Sequence, residues 1–203
     1  VVPGVGAVVN TAKVPAGATI AVVGLGGVGL CALLGGLVAG AGRIIAVDIA
    51  EDKLGLARQL GATDTFNASD ADCVDQVKEA TKGGVEFAFE VAGVVEAMQT
   101  AYAITRRGGT TVTSGLSHHT HAFEVPHAQL VVDERTIKGS YMGSSIVRQD
   151  VPRFIRLYQQ GRLPIDRLRS GNIGLDDLNA GFDKLAAGDA VRQMLVMHDE
   201  FAA

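Results

Sequence analysis

The sequence predicts an α/β protein: a doubly wound parallel sheet followed by a small C-terminal α/β appendage. Three observations lead there. Apolar runs of strand length alternate with helical patterns between residues 19 and 142. A glycine cluster, GLGGVG at 24–29, sits where the first such run gives way to a helical pattern. Beyond Met142 the alternation thins to two helical patterns and two short strand-like runs. Strands separated by helices of about 10–15 residues read as parallel, because each crossover must carry the chain back to the same end of the sheet, and it does so right-handedly.

The first strand is expected at TIAVVG (19–24) and the first long helix directly after the glycine cluster. Residues 14–42 carry no charge, which raises a membrane span of about 20 apolar residues as an alternative. Pro15 and Gly17 at its start, and eight glycines from Gly24 to Gly42, favour a buried strand followed by a buried helix. Five more strands follow at RIIAVDI (43–49), TDTF (63–66), VEFAFEV (85–91), GTTVTSG (109–115) and TIKGSYM (136–142). Between them, EDKLGLARQLGA places Leu54, Ala57 and Leu60 on one face and stops at Gly61. DADCVDQVKEATKGG and VVEAMQTAYAITRRGG each end on basic residues and a glycine pair, the usual close of a helix. After Met142 come a helix at DVPRFIRLYQQG, a short strand near RLRSGNI, a helix at LDDLNAGFDKLAAG and a terminal strand at AVRQMLVM. Residues 1–142 therefore read as one nucleotide-binding domain, and residues 143–203 as an appendage without an adequate core of its own.

Composition narrows the function. At 203 residues and 47% hydrophobic content the chain can bury a substantial core. A net charge of −4 with interspersed signs offers no basic stripe for nucleic acid. Two cysteines, Cys31 and Cys73, form neither a disulfide framework nor a four-thiolate zinc site, which fits a reducing, cytoplasmic setting. The opening VVPGVGAVV has no basic stretch or cleavage signature of a signal peptide, and the lack of an initiator Met points to sequence upstream.

Gly24, Gly26 and Gly29 fit G-x-G-x-x-G, and Gly27 completes the turn. In a chain with 26 glycines that spacing alone is weak. Its setting is not: it follows a strand, opens a helix, and is followed at the end of the next strand by Asp48. Gly24 permits the tight turn, Gly26 lets backbone N–H groups approach a pyrophosphate, Gly29 lets helix pack on strand, and Asp48 would accept ribose hydroxyls. The reading is a Rossmann-type site for a dinucleotide.

The segments GVGAVVNTAKV (4–14), GLGGVGL (24–30), IIAVDI (44–49), KLGLARQLGA (53–62), GGVEFAFEVAG (83–93), TIKGSYMG (136–143) and FDKLAAGDAVRQML (182–195) together resemble the downstream part of the zinc-type alcohol dehydrogenases of the medium-chain dehydrogenase/reductase superfamily. The resemblance implies NAD as coenzyme, an alcohol or aldehyde as substrate, and a homodimer or higher even assembly. It implies that Val28 packs near the nicotinamide, that Asp48 and Lys53 hold the adenosine ribose, and that Val91 and Ala92 border the adenine. It further implies that Ser114, Leu116, Ser140 and Met142 line the nicotinamide carboxamide, mostly through backbone atoms, and that Arg192 reaches the pyrophosphate. The appendage would then belong to a catalytic domain lying largely outside this sequence.

Departures from the family pattern bear on chemistry. The family's catalytic zinc is held from an upstream domain, with one ligand just before a Thr-Gly-x-Gly turn. Here that turn reads PGVG (3–6), with Pro3 in place of the threonine. The zinc ligands, the proton-relay groups and the structural zinc loop have no counterpart in these residues, so no catalytic or metal residue is assigned. SHHTHAFEVPH carries His118, His119, His121 and His127. Alternate histidines could share a strand face and take up a metal adventitiously, but no cysteine or carboxylate completes a tetrahedron. Glu86, Glu90 and Glu96 are spread over strand and helix without an acid–base pattern. Two alternatives stand beside the zinc-enzyme reading: a zinc-free quinone or enoyl reductase, disfavoured by Asp48, and a stand-alone dinucleotide-binding module.

Overall fold

The computed structural model describes residues 1–197. By Cα proximity it divides into two compact units, Val1–Leu163 and Pro164–Ala203.

The first unit is built on a six-stranded sheet in the order β3-β2-β1-β4-β5-β6, every pairing parallel. Its strands are β1 (Thr19–Val23), β2 (Arg43–Asp48), β3 (Asp64–Asn67), β4 (Val85–Glu90), β5 (Thr105–Thr113) and β6 (Thr136–Gly139). The helices between them are α2 (Gly27–Ala39), α3 (Glu51–Leu60), α4 (Cys73–Thr81), α5 (Val95–Ile104) and α6 (His127–Val132), preceded by α1 (Val2–Gly6) and followed by α7 (Val147–Gln159). The doubly wound architecture follows from the period-2 pattern of β1 and β2. Ala21, Val23, Ile45 and Val47 face one way and form a core with Cys73 and Val77 of α4 and Ala101 and Ile104 of α5. Ile20 and Ile44 meet α2 on the other face, where a Cβ on Gly36 would lie 2.4 Å from Ile20 Cδ1.

The uncharged run of residues 14–42 is therefore a buried strand and a buried helix. Leu30 through Gly36 are all buried, because α2 is covered on both sides: the sheet lies under it and α1 over it. Among the described residues no helix is long and apolar enough to cross a membrane.

Several boundaries differ from expectation for physical reasons. PGVG at 3–6 is not a turn but lies within α1, continued by a π-helical segment at Ala7–Ala12, since Gly4 allows α1 to press on α2. A Cβ on Gly4 would sit 2.2 Å from Val28 O. Helix α5 stops at Ile104 rather than at Gly108–Gly109, and β5 begins at once: Thr105 pairs with Val85, then the register shifts so that Thr110 pairs with Phe87. The Arg106–Gly109 stretch is a bulge in the strand, not a helix end. Strand β6 is cut short because Met142, Gly143 and Ser144 adopt left-handed backbone angles in a short 3-10 turn, Tyr141–Ser144. Helix α7 starts three residues early, at Val147, where the Asp150 carboxylate accepts the Ile146 N–H at 2.8 Å and so closes the helix start.

The second unit contains a 3-10 turn at Ile165–Leu168, then β7 (Gly171–Ile173), α8 (Leu178–Ala187) and β8 (Gln193–Leu195), the two strands parallel. Among its described residues only Leu168 and Gly181 are buried, while Phe182, Met194 and Met197 are exposed. Residues 143–163, with α7, which the sequence reading had placed in the appendage, fall in the first unit.

Candidate functional site

The sheet reverses its winding between β1 and β4, and in such folds ligands bind beyond the carboxyl ends of the strands at that point. Gly24 leaves β1 at φ +94°, its N–H donating to Val47 O at 2.9 Å, and a Cβ there would collide with Ala92 at 2.8 Å. Gly29 is tighter still, since a Cβ would stand 1.8 Å from Gly24 O. Both positions need glycine for internal reasons. Gly26 does not: its backbone is ordinarily extended (φ −71°, ψ −172°), and a Cβ there would meet nothing within 4 Å. The space before it is open.

Gly27 and Val28 form the first turn of α2, whose leading N–H groups receive no side-chain cap. A helix N-terminus left in this state favours an anion through both the unsatisfied donors and the helix dipole. Across the loop, Asp48 is 8% exposed, and its carboxylate accepts Leu25 N–H at 2.5 Å and Ala50 N–H at 3.0 Å. A carboxylate has about four acceptor positions, so two remain for hydroxyl donors.

Gly26, at the head of α2, and Asp48 border one cleft of about 450 Å³, lined also by Gly24, Leu25, Lys53, Val91 and Ala92, with Ile49 and Val94 among its walls. Ile49 is 71% exposed and Val94 49%. Two apolar side chains lining the same cleft and open to solvent suit a flat ring that would cover them. Sequence reading had passed over this pair; the signal available was that each flanks an expected contact, Ile49 after Asp48 and Val94 two residues after Ala92.

The other expected coenzyme residues fall elsewhere. Ser114, at the end of β5, donates its N–H to Glu90 O at 2.8 Å, and its Oγ is buried without a hydrogen-bond partner. Leu116 is exposed, with its backbone against Gly93. Ser140 is buried and joined to β5 by its N–H to Thr113 O at 2.8 Å, while Met142 sits in the left-handed turn at φ 49°. Left-handed backbone costs a non-glycine residue roughly 1–2 kcal/mol, so this turn requires outside support. Val28 carries the carbonyl against which Gly4 packs. Arg192 lies in the second unit, exposed, with its N–H and C=O bonded to Ser170.

Glu90 also escaped sequence reading as anything but a scattered acid. It is 2% exposed at the end of β4 and ties two loops together, accepting Gly93 N–H and Thr113 Oγ1–H, each at 2.6 Å. It borders a second hollow of about 270 Å³ with Phe123, Met98 and His121. His118, His119 and His121 cluster in an exposed turn rather than along a strand, with ring centroids 4.3 and 5.6 Å from that of His118. Their Nδ1 atoms bond locally, His118 to Thr120 and His121 to Ser117. Among the described residues no three His, Cys, Asp or Glu side chains form a group able to hold a metal ion. Cys31 is buried in α2, and burial, with Asp70 and Asp72 adding to it, pushes the Cys73 thiol up.

Residues 27–160 match the family model described as zinc-binding dehydrogenase. The chain is 35% identical over 199 residues to alcohol dehydrogenase 1 of Oryza sativa subsp. indica, covering 97% of this chain and 52% of that protein. It is 36% identical over 204 residues to an S-(hydroxymethyl)glutathione dehydrogenase of Paracoccus denitrificans, covering 97% and 54%. The crystal structure of benzyl alcohol dehydrogenase from Acinetobacter calcoaceticus superimposes with a TM-score of 0.93 at 34% identity, over 97% of this chain and 54% of that one. The chain thus spans about half the length of the relatives it matches.

Proposed function

Because the chain belongs to the zinc-binding dehydrogenase family, we propose that it is the NAD-binding part of a zinc-dependent alcohol dehydrogenase, which moves a hydride between an alcohol or aldehyde and nicotinamide. One observation carries this reading: the open face of Gly26, the N-cap of the otherwise uncapped α2, and the Asp48 carboxylate stand around a single cleft. The pyrophosphate is assigned to the backbone at Gly26 and Gly27, with Gly24 and Gly29 shaping the loop. Val28 is assigned to the neighbourhood of the nicotinamide, and the adenosine ribose to Asp48 and Lys53. Val91 and Ala92 border the adenine, with Ile49 and Val94 as the walls of its slot. The carboxamide is assigned to Ser114, Leu116, Ser140 and Met142, and Ser114 Oγ, buried without a partner, fits a place awaiting a polar ligand group. Family resemblance is the sole ground for assigning Arg192 to the pyrophosphate.

Bound NAD supplies the hydride acceptor, while the chain's own residues grip and orient it. The described residues do not offer the donor set for zinc, so no alcohol-activating step is assigned to them. In this reading residues 1–142 are the coenzyme domain and residues 143–203 belong to the catalytic domain, the setting is cytoplasmic, and the substrate is a small alcohol or aldehyde. Strand β6 lies at the sheet edge with all four residues exposed, and α6, which precedes it in the chain, has no buried residue. Such an edge is a template for its own copy, which supports a homodimer or higher even assembly.

The test is calorimetric titration with NADH and NADPH. Asp48 would face a 2′-phosphate as a like charge, and Ile49, Ala50 and Glu51 provide no cation to offset it. NADH is expected to bind at least about tenfold tighter, or ~1.4 kcal/mol. Equal affinities would overturn the assignment of Asp48.

A further inference from the structure

Asn10 and Thr11 precede the glycine loop and are not among the residues lining the cleft described above. Both nonetheless bond to the turn that ends β6. Thr11 Oγ1 is 2.7 Å from Ser140 Oγ and 2.8 Å from Ser144 Oγ, so one hydroxyl spans the turn from end to end. Asn10 Nδ2 donates to Ser145 Oγ at 3.1 Å and to Gly143 O at 3.4 Å. Asn10 is itself fixed from behind: Arg153 donates to its Oδ1 at 2.8 Å, and Asp150 Oδ2 accepts from its Nδ2 at 3.2 Å. Arg153 and Asp150 pair with each other at 3.0 Å.

Two adjacent residues rarely serve one target from a regular α-helix, because successive side chains diverge by about 100°. Asn10 and Thr11 sit in the π-helical segment Ala7–Ala12, whose wider winding brings neighbouring side chains closer in direction. The target is strained: Met142, Gly143 and Ser144 have φ of 49°, 67° and 47° in succession. Backbone of this kind persists only when its surroundings hold it. The π segment does so, helped by Gly6, where a Cβ would lie 2.6 Å from Gly143 O. On its other side the same N-terminal stretch presses on Val28 through Gly4.

We infer that Asn10 and Thr11 are positioning residues for the nicotinamide end of the coenzyme, holding the Ser140–Ser144 turn in the shape that presents its backbone to the carboxamide. The inference rests on the coenzyme reading above and assigns a role to residues that make no coenzyme contact themselves. It follows that their loss weakens binding of ligands carrying nicotinamide and spares those without it, since the adenosine half is held by Asp48 and the cleft.

The experiment compares NADH with ADP-ribose, which lacks the nicotinamide ring, by calorimetry on the full chain and on Thr11→Val, Thr11→Ser and Asn10→Ala. Thr11→Val keeps the shape and removes the hydroxyl, and it is expected to weaken NADH about tenfold while ADP-ribose affinity stays within about twofold. Thr11→Ser should bind NADH like the parent, and Asn10→Ala should follow Thr11→Val. Retained ADP-ribose binding also reports that a variant is folded. Equal weakening of both ligands, or unchanged NADH binding in both Thr11→Val and Asn10→Ala, would overturn the inference while leaving the coenzyme reading intact. Should the parent bind neither ligand, the coenzyme reading falls, and the inference falls with it.

Discussion

Gly26 and Gly29 stand three residues apart in one motif, yet alanine is expected to act on them in opposite ways. At Gly29 a methyl group would overlap Gly24 O at 1.8 Å, and both the helix start and the strand end are backbone, so no rotamer can relieve it. Overpacking of this kind costs typically 1–3 kcal/mol and occasionally more. Replacing glycine inside a helix returns about 1 kcal/mol. A collision with backbone belongs at the severe end, and a net loss of about 2–3 kcal/mol follows. For a chain of this size each kcal/mol shifts Tm by roughly 2–4 °C, which gives a fall of about 4–12 °C. At Gly26 the backbone is extended and the space is empty, so Gly26→Ala should cost under about 1 kcal/mol, the difference between glycine and alanine at a helix cap. Its methyl group would occupy the path to the α2 N–H groups and weaken NADH by at least about tenfold. Thermal unfolding by circular dichroism, paired with NADH titration, reads both effects. If Gly26→Ala binds NADH like the parent, the open face of the loop is not where the pyrophosphate lies. If Gly29→Ala melts with the parent, close packing is not why glycine stands there.

Other predictions follow from the same structure. Arg43 binds Asp64 through two bonds, at 2.7 and 2.8 Å, and holds its carboxyl below the usual carboxylate range. A carboxyl depressed on folding stabilises fully above its unfolded value and loses that contribution as pH falls through the folded one. The Tm advantage of the parent over Asp64→Asn should therefore be present at pH 7 and shrink under acid; a gap independent of pH would refute it. The chain alone is expected to bind NADH without reducing NAD in the presence of primary or secondary alcohols, because an alcohol yields no alkoxide near neutral pH without a metal or placed base. Turnover that disappears on chelation would show a metal site among these residues after all. Light scattering at tens of micromolar should report an even oligomer, and replacing Ile137 on β6 with lysine should shift it towards monomer; a stable parent monomer would count against the edge as an interface.

Much of the fold was legible because it is written in periodicity and glycine placement. Strands β1 to β4 lie within about a residue of the expected runs, each being an apolar stretch bounded by turn residues. The change of pattern after Met142 was legible too, although α7 groups with the first unit, whose boundary with the second falls at Leu163. The errors share a cause. PGVG looks like a turn in isolation, but Gly4 and Gly6 are there so that helical backbone can approach Val28 and Gly143. Arg106-Arg107-Gly108-Gly109 looks like a helix end, but pairing of Thr105 with Val85 makes it a bulge. In both places a residue distant in sequence decides the backbone, Val28 and Gly143 in one case and Val85 in the other, and local sequence does not name it.

The sequence by itself determined the order of elements, the glycine loop and the acid that follows it, since these depend on backbone freedom and alternation within about 30 residues of chain. Tertiary structure decided which atoms meet. It placed the Asp48 carboxylate on Leu25 N–H, 23 residues away, and made Glu90 a buried brace between two loops rather than a scattered acid. It also joined Thr11 to Ser140 across 129 residues. A hydroxyl's partner is fixed by the packing of whole elements, and no periodicity along the chain encodes a contact of that range.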